Sequence, residues 1–378
     1  MLILHRSERA DRLVDALGEL LAEPLADPVQ AEVVAVPTRG VERWITQRLS
    51  HRLGAGPGGS AGVCANLDFP FPGNLVSRAT ARAMGSDPDD PWAPERLVWA
   101  LIDVVDRHSD DPALDPLLRH LADATPPGRP PATERAARRF PTLRHLADLF
   151  DRYGVHRPDL IRSWADGSAG ASWQSHLWRL VRSHLDVPSP AERVDAAVAV
   201  IRATPDVLDL PDRVSVFGLT RLPAGHLSVL DAVAVHRDVH LFLLHPSGDL
   251  WARTASAVTP GGPIPARDAD PTSPLARHPL LRSWGRDARE MQVVLAATAS
   301  ADSVHHAVEE DSDRSLLGRI QSDIRHDRRP GTDHPGYVVD ASDRSLQVHS
   351  CHGRLRQVEV MRDAVLHLLR DRPDLEPR

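Results

Sequence analysis

Short apolar runs alternate with helically spaced apolar positions from the first residues onward. Residues 2–5 form one such run, and Ser7 stands where a helix N-cap belongs. Ala10, Leu13, Val14, Leu17, Leu20 and Leu21 then recur at the spacing of one helix face. Residues 32–36 repeat the run, and Val41, Ile45 and Leu49 repeat the helical spacing. A strand–helix–strand–helix opening predicts a parallel sheet covered by helices.

The pattern then changes twice. Residues 54–62 form a glycine-rich link whose GxGxxG-like spacing does not follow directly on a strand, so it reads as a link and not as a phosphate loop. From 90 to 205 the periodicity is helical. Leu97, Val98, Leu101, Val104 and Val105 make one stripe, and Leu143, Leu146, Leu149, Phe150 and Tyr153 another. Ser189, Pro190 and Glu192 form a capping box with proline at the first helical position. A proline-rich break at 126–131 divides this region. Residues 214–219 and 239–244 read as strands, with a helix within 222–235 between them. A polar loop at 261–274 follows, then helices around 280–295 and 316–324. After a break at 328–336 come a strand at 346–350 and a helix at 355–369. The expected organisation is an α/β core in two pieces, 1–75 and 206–330, interrupted by a helical insertion at 76–205. Residues 331–378 would open a second α/β domain that is truncated, as in a piece of a longer protein.

Composition narrows the chemistry. All 45 basic residues are arginine. No Walker-type lysine can reach a nucleotide phosphate, no Schiff base can form, and no Glu-x-Lys nuclease motif exists. The formal net charge is −7, so nucleic-acid binding would need a local basic surface. The two cysteines, Cys64 and Cys351, form no disulfide framework, which fits a reducing, cytoplasmic setting. The first residues are too short an apolar run for a signal peptide, and no stretch is apolar enough to span a membrane.

Five places invite a chemical reading. The turn from Val36 through Pro37, Thr38, Arg39 and Gly40 lies where a P-loop would stand, but it has one glycine and no lysine, and Pro37 lacks an N–H. It is either an ordinary strand-to-helix turn or a degenerate phosphate loop put to another use. The run 239–244 ends in His245 and Pro246, with Asp249 alone nearby, where an NTPase needs acidic residues for Mg²⁺. Residues 128–163 hold eight arginines against four acids. They make either a phosphate- or guanine-binding surface or a solvated helix face in which Arg144, Asp148 and Arg152 pair at i, i+4 spacing. His349, Cys351 and His352 lack a second ligand cluster at finger spacing and read as strand-end residues. His305 and His306, with Glu309 and Glu310, read as a polar loop or helix face. No cofactor or metal is expected.

Several unusual strings occur in one order along the chain. They are Leu4-His5-Arg6-Ser7, Gly40-Val41-Glu42-Arg43-Trp44, Asn66-Leu67-Asp68-Phe69-Pro70-Phe71-Pro72 and Ala147-Asp148-Leu149-Phe150-Asp151-Arg152-Tyr153. His156-Arg157-Pro158-Asp159, Trp173-Gln174, Val216-Phe217-Gly218-Leu219, His278-Pro279-Leu280-Leu281, Ser315-Leu316-Leu317-Gly318 and Val348-His349-Ser350-Cys351-His352 continue the series. Taken together they resemble the N-terminal portion of the RecC family, the gamma subunit of exodeoxyribonuclease V. The resemblance implies a superfamily 1 helicase-like α/β fold, an inactivated P-loop NTPase core. It implies assembly with RecB-like and RecD-like motor subunits at double-strand DNA ends. It also implies a channel for the 3′-ended single strand that is scanned for a Chi-like signal. The DNA-contact positions it carries over are Pro37, Arg39, Arg43, Phe71, Asp148, Leu149, Asp151, Arg157 and Arg193. Enterobacterial members carry Gln, Thr and Gln where this chain has Pro37, Arg39 and Arg43, and Ser77 stands where the family has a tryptophan. The base sequence read by such a channel is then altered or lost.

Three functions compete on this reading: a non-catalytic DNA-channel subunit, an ATP-driven helicase or nuclease, and a scaffold touching only phosphates. The missing lysine and the missing carboxylates at the 239–244 strand end count against the second. The purified chain is expected to show no DNA-stimulated ATP turnover. A phosphate-release assay on protein freed of contaminating ATPases checks this, and turnover stoichiometric with the chain would contradict it.

Overall fold

The computed structural model describes residues 1–54, 62–85, 90–122, 131–168, 170–265, 267–298, 301–308, 315–331, 338–373 and 375. The chain opens with β1 (Leu2–Ser7), α1 (Ala10–Leu21), β2 (Glu32–Ala35), α2 (Arg39–Leu49), β3 (Leu67–Asp68) and α3 (Pro72–Ala83). Six helices follow: α4 (Pro94–Arg107), α5 (Asp115–Ala122), α6 (Pro131–His156), α7 (Pro158–Ala165), α8 (Trp173–Leu185) and α9 (Pro190–Ala203). The α/β pattern resumes with β4 (Arg213–Leu219), α10 (Ala224–Val233), β5 (Asp238–Leu244), α11 (Gly248–Ala257), α12 (Pro279–Ser283), α13 (Arg286–Thr298) and β6 (Asp302–His305). Helices α14 (Leu316–Arg325) and α15 (Arg354–Asp371) close it. No described helix is long and apolar enough to cross a membrane.

The six strands make one parallel sheet in the order β3-β2-β4-β5-β1-β6. Strands from both ends of the sequence therefore interleave. Alternation along β2, β4 and β5 feeds two cores, as strands buried on both faces require, while the edge strand β6 is exposed along its length. Leu2, Leu4, Val33, Ala35, Val214, Val216, Val239 and Leu241 face α3, α9, α10 and α13. Val34, Phe217 and Phe242 face α1 and α2, against Leu13, Leu17, Ile45 and Leu49. The helices between β3 and β4 hold a third core of their own, in which Trp178, Phe150, Trp164, Leu101 and Leu143 meet. Helix α9 joins the two regions: Ala191 lies in the helical core and Ile201 in the sheet core.

Several expectations need correction. The boundary at 75/76 falls inside α3, because Leu75 and Val76 both pack on the sheet. The helix expected around 280–295 is two helices. Gly285 marks the break, where an added Cβ would lie 2.9 Å from the Leu281 backbone. The strand expected at 346–350 does not form: these residues have no pairing partner among the described residues, and Val348 is 93% exposed. The helix after it forms as α15, but none of its residues is buried. His305 and His306 do not belong to a polar loop or helix face. They end the edge strand β6 and follow it, while Glu309 and Glu310 lie outside the described residues. The two-residue strand β3 has no counterpart in the sequence pattern, since its strand character comes from pairing with β2. The glycine link at 54–62 and the break at 126–131 fall mostly outside the described residues.

At the β5–β1–β6 side the sheet carries a row of histidines. His5 Nδ1 lies 3.0 Å from His306 Nε2, and His5 Nε2 lies 3.0 Å from His240 Nδ1. The His5 ring stacks on Phe242 with centroids 4.5 Å apart. Burial first, then the neighbouring His240 and His306, push His5 down to about 4. Burial likewise pushes His245 down to about 4.

This packing makes two testable demands. Trp178 is 1% exposed at the centre of the helical core, so Trp178→Ala should destabilise the chain by roughly 3–5 kcal/mol, read from urea midpoints. The buried imidazoles set a pH dependence. Below their ordinary value of 6.5 they are protonated in the unfolded chain, but they stay neutral in the folded chain until about 4. The unfolded state then binds more protons, so stability is full above 6.5 and declines as the pH falls toward 4. His245→Asn should flatten that decline in urea titrations across this range. An unchanged slope would assign the dependence to other groups.

Candidate nucleic-acid interface

In an open parallel sheet, ligands meet the carboxyl ends of the strands. At that edge β2 passes through Val36 into Pro37 and Thr38. The Thr38 hydroxyl accepts from the Val41 N–H at 3.2 Å and caps α2. Pro37 rests beside Gly218 at the end of β4. Gly218 has a φ of +73° and sits where the β4–β5 register shifts, and an added Cβ there would lie 3.8 Å from Pro37 Cδ. The conformation favours glycine and lets the two strand ends approach.

Arg39 begins α2. Its guanidinium pairs with Glu42 at 2.5 Å and lies 5.5 Å from the centroid of the Phe71 ring. Phe71 is 39% exposed and precedes Pro72 at the first position of α3. Pro37, Arg39 and Phe71 thus share one edge of the sheet. Arg43, one turn along α2, is exposed and has no carboxylate partner among the described residues.

The second group lies at the end of α6. A Cβ added at Gly73 would lie 3.9 Å from His226 Cε1, so the start of α3 abuts α10. His226 is pushed down to about 4, first by burial and then by His156. His156 is itself lowered by burial, then by Arg221 and Arg152. It precedes Arg157, the exposed N-cap residue of α7. A chain of neighbours therefore runs from Phe71 through Gly73, His226 and His156 to Arg157 and Arg221. Asp148, Leu149 and Asp151 stand one to two turns upstream on α6. Leu149 packs on the helical core. Asp148 pairs with Arg144 at 3.3 Å, and Arg144 also reaches Glu95 at 3.1 Å. Arg152 donates to the Asp148 carbonyl at 3.3 Å and not to its carboxylate. The Asp151 carboxyl is raised, first by burial and then by Asp148 and Glu95. It is solvent-accessible yet crowded by protein, as a group on a groove wall would be. Arg193 does not join this surface: it is buried and its guanidinium is held by Asp90.

Elsewhere the end of β5 is filled by a buried His245, which meets Trp251 edge-on at 5.0 Å, while Arg6 lies 5.1 Å over the Trp251 ring. His305 pairs with Glu8 at 2.9 Å. Among the described residues no three His, Cys, Asp or Glu side chains are grouped to hold a metal ion. Arg221 and His226 carry no signal in the sequence, and His156 stands in one of the resemblance strings with no role attached to it; the docking of α6 on α10 brings the three together.

The fold is a helicase-like α/β domain, and its turn after β2 carries Arg39 and no lysine. Comparison with known proteins identifies the particular lineage. The family model described as RecC, N-terminal domain, matches residues 2–327. A protein named RecBCD enzyme subunit RecC from Mycobacterium tuberculosis is 43% identical over all of this chain and 34% of its own length. Its counterpart from Mycolicibacterium smegmatis is 41% identical over all of this chain and 32% of its own. The Escherichia coli protein of the same name is 27% identical over 91% of this chain and 33% of its own. The chain belongs to the RecC family, and it spans about a third of the length of these relatives.

Proposed function

We propose that this chain is the N-terminal part of a non-catalytic, cytoplasmic DNA-binding subunit of a RecBCD-type helicase–nuclease. In this role it assembles with RecB-like and RecD-like motor subunits at double-strand DNA ends. It helps divide the duplex and guides the 3′-ended single strand past a surface that scans for a Chi-like signal. The observation that carries the reading is the Arg39–Phe71 pair at the carboxyl edge of the sheet, with Arg43 exposed beside it. An accessible aromatic face takes a stacked base, and arginine beside it takes a phosphate, which is how single strands are held without a nucleotide-hydrolysing site.

Asp148 and Asp151 give the surface a second character. Carboxylates repel a phosphate backbone but accept from cytosine N4, whereas arginine reads guanine O6 and N7. A second reading, a scaffold that reads no sequence, is favoured by the pairing of Asp148 with Arg144, which makes that carboxylate an ordinary helix ion-pair partner. Arg193, held by Asp90, has no part in either reading.

The two readings separate in the assembled complex. Arg39→Ala and Arg43→Ala should weaken single-strand binding. Asp148→Ala and Asp151→Ala should leave affinity equal or higher while changing the response to DNA sequence, since one discriminating base contact is worth roughly 1–3 kcal/mol. The measurement is the recombination-signal response across the four variants. Aspartate variants that treat every DNA sequence as the parent does would leave the scaffold reading standing.

A further inference from the structure

A cavity of about 610 Å³ opens where the α6–α7 junction, the β4–α10 loop, the 259–275 loop and α13 meet. That volume is within the usual range for a small-molecule site. Its charges are not balanced. Arg267 is taken up by Glu290, with contacts of 2.8 and 2.7 Å, and Asp270 by Arg289 at 3.0 Å. Arg157 and Arg221 line the same cavity, and their guanidinium groups have no hydrogen-bond or ion-pair partner among the described residues. His156, on the same wall, is lowered by burial and by the Arg221 charge, so it is a neutral hydrogen-bonding group there and not a third cation. The remaining wall is apolar: Leu222, Ile264, Met291 and Val294. Ile264 is 45% exposed and belongs to none of the hydrophobic cores.

Two uncompensated guanidinium groups facing an apolar wall suit an anion that carries a flat hydrophobic group. We infer that this cavity is a nucleotide subsite on the single-strand path, in which Arg157 and Arg221 hold a phosphodiester and the Leu222–Ile264–Val294 wall receives the attached base. The inference rests on the DNA-binding reading above and extends it. Arg221, His156 and Ile264 become binding residues, and the path runs from the Arg39–Phe71 edge past His226 into the cavity. An acidic peptide would satisfy the arginines but leave the apolar wall uncovered, which is why a nucleotide is favoured.

The test uses the whole chain and a fluorescein-labelled oligothymidylate, with binding followed by anisotropy across a salt series. A matched abasic strand and free thymidine monophosphate serve as the other probes. Arg157→Gln and Arg221→Gln should each flatten the dependence of log affinity on log salt by about 0.7, the share of one phosphate contact to a single strand. Arg221→Lys should restore it. Ile264→Ser should weaken binding of oligothymidylate but not of the abasic strand. Neither arginine has a carboxylate partner among the described residues, so melting temperatures should stay at the parent value. If the parent binds the strand but the arginine variants keep its salt slope, the cavity is not on the path, and the DNA-binding reading survives. If the parent binds no single strand, both fall. If thymidine monophosphate competes as well as the oligonucleotide does, the cavity holds a free nucleotide and the strand subsite is refuted.

Discussion

The pairing of β2 with β4 is the contact on which the rest of the molecule depends. Val33, Val34 and Ala35 align with Val214, Ser215 and Val216, although the whole helical region lies between them in sequence. Closing so long a loop is entropically unfavourable, though the cost grows only slowly with length. It is offset by apolar burial on both faces of the sheet, where Val34 and Val216 are fully buried. The same strand pair is clamped at its other end. Arg213 lies against Glu32 and donates to the Leu20 and Glu23 carbonyls at 2.9 and 2.8 Å, so α1 is tied to the β2–β4 junction. An arginine this buried is tolerated because nearly all of its donors are used. Losing Glu32 would leave a buried charge without its counterion.

That pairing also decides what the carboxyl edge looks like. Gly218 breaks the regular register of β4 and makes room for Pro37, so the β2–α2 turn leans over the end of β4. Arg39 then meets Phe71 from the next strand-to-helix connection. On the other side of β4, the loop carrying Arg221 faces the end of α6. With a net charge of −7, a nucleic-acid surface has to be a local one, and Arg43, Arg157 and Arg221 along this edge have no carboxylate partner among the described residues. His156, His226 and Asp151, all at least partly accessible, are each shifted toward the neutral form by burial. In each case loss of water around the group is the largest cause, and neighbouring like charges add to it.

Elsewhere on the sheet the histidines pack against one another and against aromatic rings. The His240–His5–His306 row satisfies both ring nitrogens of His5 and stacks its face on Phe242. His245 fills the end of β5, where a nucleotide-hydrolysing site would need carboxylates. The buried imidazole and the Trp251 indole beside it occupy that ground with a packed aromatic contact.

The sequence alone determined the local elements and the chemistry that cannot occur. Periodicity is a property of neighbouring residues. The strands near 2–5, 32–36, 214–219 and 239–244 and the stripes of α4 and α6 are therefore legible in it, as is the want of a phosphate-binding lysine. The ordered strings resembling the RecC family also point to Arg39, Phe71 and Arg157. Tertiary structure decided everything that depends on which distant residues meet. It made a two-residue strand of Leu67 and Asp68 by giving them a partner, and it denied strand form to 346–350, which has none among the described residues. It removed Arg193 from the candidate surface by burying it against Asp90. It also assembled His156, Arg221 and Ile264 into a cavity from four separate stretches of chain. The physical reason is the same throughout. A strand, a buried ion pair and a cavity are each defined by a partner far away in sequence, and no local pattern encodes that partner.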